Sequence, residues 1–297
     1  MTDFDVIMVG QVCLDVNTDC DGSVTHAFGG AALYSGYSAA AIPFNRAAVL
    51  AKANPDELNL AEAYAKCPPI KVIGLDSERS TRMENTYFTP DRERRLCRCT
   101  AAIDPYKPSD LPELSTRLYH LAGLIKGDID EEFIEACAKR ADVALDVQCM
   151  LRCRQSDDSM VFHDWDAKER MMPRIQYLKT DAAEAEILTG TSDRVKAAQM
   201  LCDMGAGEVM ITHNSEVLVC FEGRIYRQPL KPRSLVGRTG RGDTTFAAYL
   251  GMRKDHDAAY SLLWAAATVS LKMETPGPFI GTCADVEKYI EEFYCTR

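Results

Sequence analysis

Residues 237–245 read GRTGRGDTT, from Gly237 to Thr245. Glycines at 240 and 242 permit a tight turn that leaves backbone N–H groups unpaired, and the residues that follow predict a helix over Gly242–Gly251. N–H groups stacked at a helix start form an anion site. Asp243 comes directly after the glycines, where a carboxylate would stand beside the bound anion and could take a proton. The same residues also fit a plainer description, a turn whose Asp243 and Thr244 merely cap the helix.

Outward from this turn, strand-like and helix-like stretches alternate, which predicts an α/β fold with a mainly parallel sheet. Short apolar runs, β-branched in the first, predict strands at Asp5–Val12, Val72–Leu75, Leu118–Leu124, Val143–Val147, Ile175–Lys179, Val209–Thr212 and Val217–Phe221. Helices are expected over Gly29–Ile42, Glu131–Arg140, Asp181–Gly190, Lys196–Met204 and Ala258–Lys272. The polar, aromatic stretch Met83–Ala102 predicts a hairpin that turns near Pro90–Asp91. No repeat or linker divides the chain, so residues 1–297 are expected to form one domain.

Composition narrows the function. The 297 residues carry 44 acidic and 34 basic side chains, a formal net charge of −10, which argues against nucleic acid as a partner. Arg92, Arg94, Arg95 and Arg98 cluster locally, as on a solvated strand or loop. No apolar run reaches the roughly 18 residues of a membrane span, and the acidic start lacks the pattern of an export signal. A cytoplasmic protein without membrane association is therefore expected, with its twelve cysteines reduced. The close pairs Cys97/Cys99 and Cys149/Cys153 lack zinc-site spacing.

GRTGRGDTT resembles the DTxGAGD motif of the ribokinase-like (PfkB) carbohydrate kinases, and three further segments resemble that family in the same order. The N-terminal strand and Asp15 are similar to the family's opening strand with its substrate-binding aspartate. Gly29–Gly30 resembles the Gly-Gly pair that closes on substrate, and Leu178–Gly190 (LKTDAAEAEILTG) resembles the segment carrying NxxE. The resemblance implies a three-layer ribokinase-like fold with a small β lid, drawn here from about 13–28 and 83–102. It also implies an ATP- and Mg2+-dependent kinase acting on a hydroxyl of a sugar or sugar-like small molecule. Asp243 would be the base, with Gly240, Arg241 and Gly242 forming the anion hole. Asp15, Gly29 and Gly30 would hold the substrate, joined by Gln148 and Arg152, which follow a predicted strand. Asp181, Glu184, Thr212 and Thr239 would line the nucleotide, with Glu184 reaching Mg2+ through water.

Several positions depart from the family pattern. Gly237 replaces the leading aspartate, Arg241 an alanine, Asp181 an asparagine, and Tyr34 the asparagine four residues after the Gly pair. Asp181 and Glu184 also have the spacing of a capping box, which needs no metal. Only 13 residues separate Asp15 from Gly29, little room for a large lid, so a homodimer stays open. Nucleoside and inositol kinases of the same fold, and a non-catalytic metabolite sensor, remain alternatives.

Overall fold

The computed structural model describes residues 2–42, 46–89 and 94–295. The turn expected near Pro90–Asp91, and Arg92, lie outside the described residues. In chain order the strands are β1 (Phe4–Gly10), β2 (Cys13–Thr18), β3 (Val24–Gly29), β4 (Ala47–Ala53), β5 (Lys71–Asp76), β6 (Thr81–Tyr87), β7 (Arg95–Ala101), β8 (Thr116–Ala122), β9 (Asp142–Asp146), β10 (Arg152–Arg154), β11 (Met160–Phe162), β12 (Tyr177–Asp181), β13 (Glu208–Thr212), β14 (Glu216–Phe221) and β15 (Arg224–Pro229). The helices are α1 (Ala31–Ala41), α2 (Leu60–Ala63), α3 (Glu131–Ala138), α4 (Gln148–Leu151), α5 (Lys168–Met171), α6 (Ala182–Thr189), α7 (Arg194–Asp203), α8 (Arg241–Arg253), α9 (Ala258–Lys272) and α10 (Cys283–Phe293).

Among the described residues, nine strands make one central sheet in the order β15-β14-β13-β12-β9-β8-β1-β4-β5. The strands from β13 to β5 run parallel, while β14 and β15 fold back antiparallel at one edge. Parallel strands are covered on both faces, which is why Ile7, Met8 and Val9 are all buried and β1 does not alternate. One face packs on α1, α8, α9 and α10 around Phe246, Leu262 and Trp264. The other packs on α3, α6 and α7 around Phe133, Leu188 and Leu201. The chain leaves β1 toward β4 and β5 on one side and resumes at β8 toward β13 on the other. The carboxyl ends of β1 and β8 therefore flank a switch point, where such sheets bind ligands.

A second sheet of four strands, β3-β2-β6-β7, stands apart from the central one. It is built from the two segments expected to form a lid, with β6 and β7 as the antiparallel hairpin. Its β2 begins three residues beyond the end of β1, so the lid grows from the switch point itself. Beyond the sequence expectations are β4, β10, β11, β15, α10 and the short helices α2, α4 and α5. None of the helices among the described residues is long and apolar enough to cross a membrane, and all twelve cysteines are free thiols.

Candidate active site

Three glycines shape the turn before α8, each against a different neighbour. A Cβ on Gly237 would lie 1.8 Å from the carbonyl oxygen of Thr275, so the family's aspartate has no room here. Gly240 has φ 74°, in the left-handed region, and a Cβ there would fall 2.1 Å from the Tyr34 ring. A Cβ on Gly242 would stand 2.9 Å from Lys179 Nζ. The turn is thus pressed between an aromatic face and a buried ammonium. Arg241 N–H donates to the Arg238 carbonyl at 3.3 Å, so of the expected anion-hole amides this one already has an acceptor. The first-turn amides of α8, Gly242 among them, have no acceptor inside the helix.

Asp243 lies in that first turn with its side chain partly open to solvent. Desolvation pushes its carboxyl above the ordinary range; Asp146 adds to the rise, while Lys179 and Lys272 oppose it. Lys179, in the middle of β12, donates at 2.9 Å to Oδ2 of Asp146, the last residue of β9, and both are buried. Burial alone would lower the Lys179 ammonium, but Asp146, Glu184 and Asp243 together hold it well above the ordinary lysine value.

Asp181 and Glu184 form the expected capping box. Asp181 Oδ1 accepts from Glu184 N at 2.8 Å, and Glu184 Oε2 accepts from Asp181 N at 2.8 Å. Burial raises the Glu184 carboxyl, partly offset by Lys179. Thr212, buried at the end of β13, donates to the Thr180 carbonyl at 3.4 Å. Thr239 presents its carbonyl to Lys272 Nζ. The strand ends thus bring Asp181, Glu184 and Thr212 to the side of the turn on which Lys179 lies.

A second group gathers where the lid joins the sheet. Asp15 on β2 is buried and accepts from Cys13 Sγ at 2.9 Å. Burial pushes its carboxyl up to about 6, against the pull of the Cys13 hydrogen bond, Arg95 and Arg152. Gly29 faces that carboxylate so closely that a Cβ would meet Oδ2 at 2.2 Å. Gly30 has φ 99° and starts α1, with its absent Cβ 2.4 Å from the Gln11 carbonyl. Arg152 is buried in the same region and donates to Cys97 Sγ at 2.8 Å. Gln148 starts α4, and its N–H donates to Asp146 Oδ1 at 3.2 Å, which ties it to the turn side of the site.

Tyr34 connects the two groups. Burial raises its phenol, followed by the charges of Asp15, Cys13, Asp243 and Tyr87, so it lies within electrostatic reach of both aspartates. Lys179 and Lys272 escaped the sequence reading because each sits in a run otherwise suited to burial. A lone lysine in such a strand or helix was the available signal.

A doubly wound parallel sheet with a four-stranded sheet at its switch point and a Gly-rich turn at the start of α8 is the ribokinase-like arrangement expected from the sequence. A family model described as pfkB family carbohydrate kinase matches residues 70–281, and the chain belongs to that family. No curated protein sequence matches it. Among solved structures, a sulfate complex of a pyrophosphate-dependent kinase in the ribokinase family is 31% identical, with TM-score 0.86 over 95% of this chain and 99% of that one. A pyrophosphate-dependent kinase of the same family, complexed with a pyrophosphate analogue and myo-inositol, is 30% identical with TM-score 0.86 and the same coverage. Arabidopsis thaliana ribokinase, complexed with ribose and ATP, shares the fold at 16% identity and TM-score 0.74 over 98% of this chain and 99% of its own.

Proposed function

We propose that this kinase transfers a phosphoryl group from pyrophosphate to a hydroxyl of myo-inositol or a closely related cyclic polyol. The observation that carries the reading is the buried Lys179 ammonium directly beneath Gly242. Paired with Asp146, it stays charged where the donor's phosphates would meet the turn, and a compact donor needs that contact more than a nucleotide anchored by its base. The two pyrophosphate-dependent relatives at 30–31% identity support the same donor and, in one case, the same acceptor. ATP, the donor implied by the motif resemblance, is the competing donor.

In this reading Asp15 and Arg152 hold the acceptor's hydroxyls and Asp243 takes the proton of the reacting one. As that oxygen bonds to phosphorus, the bridging P–O bond of pyrophosphate breaks and inorganic phosphate leaves. The helix-start amides, Lys179 and Arg241 face the charge that spreads over the transferred group. Asp181 and Glu184 offer hard oxygen donors suited to Mg2+. Among the described residues no three His, Cys, Asp or Glu side chains converge on one point, so the fit is to an ion that keeps its waters and travels with the donor. When bound, Mg2+ would neutralise donor charge.

The test is phosphorus NMR of the purified protein with Mg2+, offered pyrophosphate or ATP against myo-inositol, ribose and nucleosides. A phosphorylated polyol formed with pyrophosphate is expected. Product with ATP alone would return the donor to a nucleotide. Tight acceptor binding with no product from either donor would leave a metabolite sensor.

A further inference from the structure

Lys272 closes α9 almost without exposure, at 1% of its surface, in a helix whose other buried residues are uncharged. Its ammonium donates to the carbonyls of Gly237 and Thr239, and it stands 5.0 Å from the centre of the Tyr34 ring. The turn is docked to the same helix end by Gly237 N–H, which donates to the Met273 carbonyl at 2.8 Å. A turn that offers N–H groups to an anion must send carbonyls the other way. Two such carbonyls converging in a buried space repel one another, and a cation between them removes the repulsion.

We infer that Lys272 is a positioning residue: a tethered cation that gathers the Gly237 and Thr239 carbonyls behind the turn and keeps its amides presented to the transferred phosphoryl group. The inference rests on the phosphotransfer reading above. It goes beyond that reading by giving the turn's conformation an electrostatic cause. Arg241 and Asp243 of α8 and Tyr34 of α1 face the ammonium. Burial pulls it down to about 7, with Asp243 opposing the fall and Arg241 adding to it. The clamp therefore weakens as pH rises past neutrality, and turnover has an alkaline limb.

The experiment compares Lys272→Met, which keeps the length without the charge, with Lys272→Arg, which keeps the charge. Lys272→Met is expected to lower kcat at least about tenfold with the acceptor KM little changed. Lys272→Arg should recover part of that loss and shift the alkaline limb upward. Hydrogen exchange of the amides of residues 237–242 is followed in parallel on the ligand-free proteins, and Lys272→Met should exchange faster there than wild type. A Lys272→Met enzyme with kcat within about twofold of wild type overturns the inference, as does unchanged exchange. Loss of cooperative melting in both variants would make the residue core support and overturn it too. If wild type turns over no donor with any acceptor, the phosphotransfer reading fails, and the exchange comparison still decides what Lys272 does to the turn.

Discussion

Lys179 Nζ lies 2.9 Å from Asp146 Oδ2, and both side chains are buried, directly across from each other on neighbouring parallel strands. Removing one member of a buried ion pair strands the other charge, at a cost of about 3–5 kcal/mol. Lys179→Met should therefore unfold at lower denaturant and lose turnover. Adding Asp146→Met should restore much of the stability, because an apolar pair can replace a buried ionic one, but not the turnover. Denaturant melts beside phosphate-release assays separate the two effects, and recovered turnover in the double variant would remove Lys179 from the donor site.

Asp243→Asn keeps the shape of the helix start and removes the proposed base. Turnover should fall by about 10²–10⁴-fold while pyrophosphate binding, read by calorimetry, persists. An Asn variant with near-normal kcat would show that Asp243 is only a helix-start residue.

Asp15 gives a pH prediction with a definite sign. Its carboxyl rises from an ordinary 3.8 to about 6 in the fold, so the folded state holds the proton more tightly. Its contribution to stability is present below the unfolded value and is lost as pH climbs through about 6. At pH 8, Asp15→Asn should stabilise the fold by about 1–3 kcal/mol and weaken the acceptor KM severely. Turnover of the wild type should fall on the acid side at a pH above the ordinary carboxylate range, since Asp243 is raised as well. A variant no more stable than wild type at pH 8 would contradict the burial argument.

Gly240→Ala meets two obstacles, a left-handed φ of 74° and the Tyr34 ring 2.1 Å from the new methyl. The backbone conformation alone costs about 1–2 kcal/mol. The Tyr34→Ala change in the same chain should return the steric part of the loss and leave the backbone part. Thermal melts of the two single variants and the double variant give the coupling. Complete additivity would mean that the turn and Tyr34 do not press on each other.

Much of this architecture was legible from local chemistry. The apolar runs of β1, β8, β9 and β13, alternating with helical segments, marked a parallel sheet, and Asp181 with Glu184 announced the capping box that starts α6. Two missed elements had usable signals. Thr282 and Asp285 make a capping box at the start of α10, and Val286, Tyr289 and Ile290 then recur at helical spacing. Glu222 and Gly223 both have positive φ, the mark of a tight hairpin between β14 and β15. By contrast β4 reads AAVLAKA, and alanine has little strand preference of its own. That stretch is a strand because β1 and β5 hydrogen-bond it on either side.

By itself the sequence determined the sheet, the Gly-rich turn and Asp243 beyond it. Each of these rests on local properties: periodicity, glycine's freedom, or the chemistry of one carboxylate. Only the tertiary structure decided that Gly237 lies against the Thr275 carbonyl, that Tyr34 spans the two halves of the site, and that Lys179 and Lys272 are buried on two sides of the turn. Those relationships join residues far apart in the chain. A lysine's role there depends on which carbonyls and carboxylates the fold brings around it, because burial makes an ammonium costly unless such partners surround it.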